Sequence, residues 1–131
     1  MKIMLAHPAE LLLLLFLIIT FLQSGLDKLF DWSGNLSWLK EHFSRSPFKN
    51  VVPVLLGTLV IVETIAAILC IIGLVQMFEN GSTTLAFYGA ILCCIALLML
   101  LFGQRMAKDY EGAKTIAIYF IPAVFLVFLL Q

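Results

Sequence analysis

Apolar residues run along this chain in four long blocks, at about residues 5–30, 51–78, 83–102 and 113–130, with polar stretches between them. A bilayer core of about 30 Å calls for roughly 20 apolar residues in a helix rising 1.5 Å per residue, which is the scale of all four blocks. In lipid each block must satisfy its own backbone hydrogen bonds and is therefore predicted to be helical; a barrel would read as short alternating strands. The expected fold is all-α: an integral membrane four-helix bundle of up-down topology, forming one domain over residues 1–131 without internal repeats.

The connections differ in length and charge. Residues 31–50 form the longest, 80–82 a tight turn pivoting on Gly81, and 104–112 a polar link. Lys28, Lys40, Arg45, Lys49, Arg105, Lys108 and Lys114 fall on the side of the first and third connections, against Lys2 on the other side. The positive-inside rule then places residues 31–50 and 104–112 in the cytoplasm and both termini outside. In the first connection Trp32, Leu36, Trp38, Leu39 and Phe43 alternate with polar residues. That pattern fits a short amphipathic helix at headgroup level, either as an aromatic belt or as a lid over a cavity between helices. Pro47 and Pro53 bracket the start of the second span.

Lys2 followed by a leucine-rich run imitates a secretion signal. The apolar run continues through Ser24, Gly25 and Leu26 without a small-residue cleavage site, so the segment is expected to stay as the first span.

Composition agrees with the pattern. The chain has 131 residues, 63% hydrophobic and 12% charged, with a mean hydropathy of +1.09, far above an ordinary soluble domain. Eight basic residues balance eight acidic ones, which gives no reason to expect nucleic acid as a partner. Membrane lipid is the expected surrounding. Cys70, Cys93 and Cys94 lie inside apolar blocks, without metal-ligand spacing to His7 or His42, and no metal site is expected. Adjacent Cys93 and Cys94 point about 100° apart and read as packing residues, with an interior Cys70 pair as the alternative. Both histidines read as solvated surface groups.

Candidate chemistry begins with Glu63, the one ionisable residue in "GTLVIVETIAAILCIIG". At 100° per residue it shares a face with Leu59, Val60, Ala66, Ala67, Cys70 and Gly73, mostly small side chains that let helices approach closely. Glu63 is therefore expected to face the bundle interior. Gly89, Cys93, Ala96, Leu100 and Gly103 form a comparable face on the third span, and Ala113 and Ala117 a shorter one on the fourth, where Pro122 predicts a kink. On the first span Thr20, Ser24, Asp27 and Asp31 form a polar stripe flanked by Gln23 and Lys28. Counting helical rise from the membrane edges puts Glu63 about 13 Å deep and Gln23 and Ser24 about 9 to 10 Å deep, with Tyr119 near the same level. The candidate site is thus Glu63, Lys28, Gln23, Ser24, Asp27 and Tyr119.

Two readings of Glu63 compete. As a structural group it is a protonated acid bonded to Ser24, Gln23 or Tyr119, or an ion pair with a snorkelling Lys28 that sets helix register. As a functional group it exchanges protons or holds a ligand in a water- or quinone-accessible cavity. A charge at mid-membrane costs at least ~2.5 kcal/mol, which favours a functional return.

The segments "SGLDKLFDW", "PFKNVVPVLLGTLVIVETIAAILCIIGL" and "GQRMAKDYEGAKTIAIYFI" together resemble the DoxX family of small bacterial membrane proteins, over almost the whole chain. The resemblance rests on Gly25 and Lys28 at the end of the first span and on Gly57, Glu63 and Gly73 in the second. It implies an up-down four-helix bundle in the bacterial inner membrane. Some members of that family are linked to redox systems, including a membrane subunit of thiosulfate:quinone oxidoreductase and assemblies that handle thiol stress. Lys28 and Glu63 are the positions that carry over.

The leading functional expectation is a membrane subunit of a quinone-linked or thiol-redox complex, with redox chemistry supplied by a bound quinone or by partner subunits. Two alternatives from other classes are a non-catalytic scaffold subunit of an envelope complex and a small proton-coupled exporter.

Overall fold

The computed structural model describes residues 6–131, and among these it contains five helices and no strand. Helix α1 spans Pro8–Phe30, α2 Trp32–His42, α3 Val52–Asn80, α4 Thr84–Met106 and α5 Tyr110–Leu130. Helices α1, α3, α4 and α5 are long and apolar enough to cross a membrane. Lys2 and Leu5, where the first span is predicted to begin, lie outside the described residues.

Local signals account for the helix ends. Proline stands in the first turn of α1 and of α3, where its missing amide would have had no intrahelical partner. Helix α3 stops at Gly81, whose φ of 75° is left-handed and whose amide closes on the Met77 carbonyl at 3.1 Å. Asp109 caps α5 by accepting a 2.9 Å hydrogen bond from the Gly112 amide. The expected link at 104–112 is mostly helical: α4 continues to Met106 and α5 begins at Tyr110, leaving three residues between them. Hydropathy marks the apolar part of a helix, whereas caps mark its ends, so both predicted spans were too short at this junction. Pro122 sits inside α5, which stays helical through it.

The long helices form a ring of contacts, α1 on α3, α3 on α4, α4 on α5, and α5 back on α1, with the α3–α4 seam the most extensive. Leu11, Leu14, Leu17, Phe21 and Gly25 turn inward from α1 at helical spacing. Helix α3 buries the whole face predicted for it, Leu59, Val60, Glu63, Ala66, Ala67, Cys70 and Gly73. Small residues set how close α3 and α4 come. A Cβ on Gly89 would lie 2.9 Å from the Cys70 backbone nitrogen, and one on Gly73 would collide with the Ala86 backbone. On α5 the expectation needs correcting. Ala113 is buried but Ala117 is exposed, and the helix packs instead through Ile116, Phe120, Ala123, Leu126 and Val127. Two small residues four apart are too weak a signal when bulkier side chains offer more area to bury.

Large apolar side chains also cover the outside: Leu12, Ile19, Val54, Ile61, Ile121 and Phe128 are all at least 60% exposed. Among the described residues only Ser46 and Glu63 are buried polar or charged groups.

Candidate functional site

Glu63 has no exposed surface. Its partner is Lys28, whose Nζ lies 3.3 Å from Oε1 and 3.4 Å from Oε2. Only the contact to Oε2 has hydrogen-bond geometry, and the buried Oε1 accepts no hydrogen bond among the described residues. Lys28 also donates to Ser24 Oγ at 2.5 Å, one turn back along α1.

The backbone explains why Lys28, rather than Gln23 or Ser24, meets the acid. Gly25 of α1 packs near Thr64, and Trp32, the first residue of α2, lies over Gly57, so the chain here runs opposite to α3. Helical side chains lean toward their own N-terminus, which carries the long Lys28 stem inward past Gly25 to the level of Glu63. A Cβ at Gly25 would meet Thr64 Oγ1 at 3.4 Å, an ordinary contact that marks how close α1 and α3 lie here. Of the partners expected for Glu63, Lys28 is the one in contact with it; no hydrogen bond joins the acid to Ser24, Gln23 or Tyr119 among the described residues.

The other predicted residues gather elsewhere. Thr20, Gln23, Ser24 and Asp27 of α1 and Tyr119 of α5 line a cleft of about 340 Å³. Gln23 and Asp27 are exposed, and Tyr119 stacks on Phe16 with ring centroids 6.0 Å apart. The six candidates thus divide into a buried pair and an open polar cleft. Ser24 belongs to both: it lines the cleft and accepts from Lys28.

A second cavity, of about 220 Å³, lies beneath α2, between α3 and α4. All of its walls are apolar, including Leu39, Phe43, Phe48, Leu56, Leu59 and Phe102. Helix α2 has no buried residue and contributes Leu39 to one side of this space, with Phe43 and Phe48 following in the turns after it. Leu59 also stands one helical turn from Glu63 on α3.

His42 corrects a second expectation. Its side chain is only 17% exposed, with Nε2 2.8 Å from Gln104 Oε1 and 3.6 Å from Asp109 Oδ2, and it stacks on Trp38. It fastens α2 to the α4–α5 junction. Sequence offered no signal for this contact, because Gln104 is 62 residues away. The cavity was partly legible: Leu36, Leu39 and Phe43 recur at spacings of three and four, marking one apolar side of α2.

Cys70, Cys93 and Cys94 are all free and buried, and Cys70 and Cys93 approach with sulfurs 3.9 Å apart across the α3–α4 seam. Among the described residues no three His, Cys, Asp or Glu side chains converge as metal ligands.

Comparison with protein-family models, with curated proteins and with solved structures finds no match to this chain.

Proposed function

We propose that this protein is a multi-pass protein of the bacterial inner membrane, an up-down four-helix bundle. In this reading its Lys28–Glu63 pair serves a quinone-linked or thiol-redox membrane complex, as the resemblance to the DoxX family implies. The observation that carries the site is the state of Glu63: wholly buried and ion-paired, with Oε1 left short of a hydrogen bond. A wholly buried carboxylate held by one charged partner is costly to desolvate, which supports a functional return for keeping it.

Packing around Glu63 leaves no surface for a ring to reach, so a quinone headgroup fits the cleft at Ser24 better than the carboxylate itself. There Gln23, Ser24 and Tyr119 offer donors and acceptors. A quinone bound there would accept electrons and protons from its redox partner. Glu63 would hold or release a proton at Oε1, Lys28 would balance its charge, and Ser24 would connect the pair to the cleft.

A scaffold role keeps specific support, since Gln23 and Asp27 are exposed on a helix apolar enough to span a membrane. A partner helix would remove that polar surface from lipid. The exporter reading is weaker, because a carboxylate that alternates between two sides must be reachable, and Glu63 is sealed.

Gentle affinity purification, analysed for both co-purifying proteins and lipid-soluble quinone, tests the proposal. Retention of both, with the quinone lost in Ser24→Ala, which alters the cleft itself, while partner subunits remain, is the expected result. A wild-type preparation with neither would sink the redox reading, and one with partners but no quinone would leave the scaffold in its place. A reporter fused at Gln131 that is active only in the cytoplasm would reverse the proposed orientation.

A further inference from the structure

The geometry points to a binding site for an anionic phospholipid, with one acyl chain in the cavity beneath α2 and the phosphate on the basic residues around it. The inference rests on the membrane-spanning part of the proposed function and is independent of Glu63 and of redox chemistry.

The cavity itself selects for hydrocarbon. Its walls carry no polar side chain, so it offers water no side-chain partner and suits an apolar occupant. Helix α2 contributes Leu39 to one wall, and the turns after it add Phe43 and Phe48. These contacts leave Trp38 outside, 58% exposed, where an indole suits the boundary between headgroups and acyl chains.

The charge lies close in sequence to those same wall residues. Lys40 follows Leu39, Arg45 comes two residues after Phe43, Lys49 follows Phe48, and Arg105 comes three residues after Phe102. All four are exposed. With Lys108, they make five basic residues over 36–51 and 98–108, where Glu41 is the single acid. The neighbouring Asp109 is already engaged, capping α5 and facing His42. His42 also ties the two basic segments together, through Gln104 at 2.8 Å. An apolar metabolite would satisfy only the walls, and a soluble anion only the rim. A diacyl lipid with a net negative headgroup satisfies both, and clusters of Lys and Arg beside membrane helices are the known means of holding such headgroups.

Native mass spectrometry of the full chain in mild detergent, supplied with equimolar phosphatidylglycerol and phosphatidylcholine of matched chains, tests this directly. The bound ratio is expected to favour phosphatidylglycerol by about tenfold. The triple variant Arg45→Gln, Lys49→Gln, Arg105→Gln changes only exposed positions and is expected to bring that ratio to about one. Leu59→Phe, which fills the cavity, is expected to reduce retention of both lipids. Equal binding of the two lipids by the wild-type chain overturns the inference, as does a preference that survives the triple variant. A chain that carbonate washing strips from membranes without detergent would instead refute the membrane reading, before any lipid is added.

Discussion

Lys28 Nζ stands 3.3 Å from Glu63 Oε1 and 2.5 Å from Ser24 Oγ, joining the last turns of α1 to the middle of α3. Removing one member of such a pair costs more than removing both, because the survivor keeps its desolvation penalty without compensation. Lys28→Met should therefore destabilise the protein by about 3 kcal/mol, the low end for buried pairs, since Lys28 retains 16% exposure. Adding Glu63→Leu should restore most of the loss. Unfolding of the single and double variants in detergent gives the coupling; equal losses for both would mean that the pair contributes little.

Close approach of α3 and α4 depends on Gly89. A Cβ there would sit 2.9 Å from the Cys70 backbone nitrogen, an atom that cannot move without shifting the helix. Gly89→Ala should cost about 1–3 kcal/mol despite the better helix propensity of alanine. A variant as stable as the wild type, or more stable, would show that the seam is looser than this packing requires.

Two roles meet in Asp109: it caps α5 at 2.9 Å and faces His42 at 3.6 Å. Asp109→Ala should lower stability by about 1 kcal/mol through the lost cap and loosen α2. His42→Ala should loosen α2 while sparing the cap. Hydrogen exchange over residues 32–42 reads the first effect and exchange at Gly112 the second. Unchanged exchange in α2 for both variants would mean that its hold comes from Leu39 and Phe43 alone.

The three cysteines are free, with the Cys70 and Cys93 sulfurs 3.9 Å apart. Alkylation of the denatured chain without reductant should add three labels. After treatment with a membrane-permeant oxidant, one label should remain, on Cys94, with Cys70 and Cys93 joined. A mixed population containing a Cys94 disulfide would contradict the placement of α4 against α3.

Much of the fold was legible because lipid-scale hydrophobicity and helical periodicity are local properties. The turn at Gly81, the proline opening α3, and the inward face of α3 follow from residues a few positions apart, whereas the start of α1 at Pro8 was not read from the sequence. The site was legible only in part. Glu63 and Lys28 could be nominated as charges in apolar surroundings, and their ion pair was one of the expected arrangements, but the choice among Lys28, Ser24, Gln23 and Tyr119 as its partner depended on helix register. Register is set by many weak contacts, such as Gly25 against Thr64 and Trp32 over Gly57.

By itself, then, the sequence determined that residues 6–131 would make long apolar helices with a small-residue face around one acid, because spacing along a helix decides what shares a face. Tertiary structure decided which of the candidate partners, Lys28, reaches that acid, and that Gln23, Asp27 and Tyr119 open onto a separate cleft. It alone also decided that His42 clamps α2 across an apolar cavity. Those outcomes depend on how rigid helices slide and rotate against one another, and distances between residues far apart in the chain are fixed only when the whole set packs.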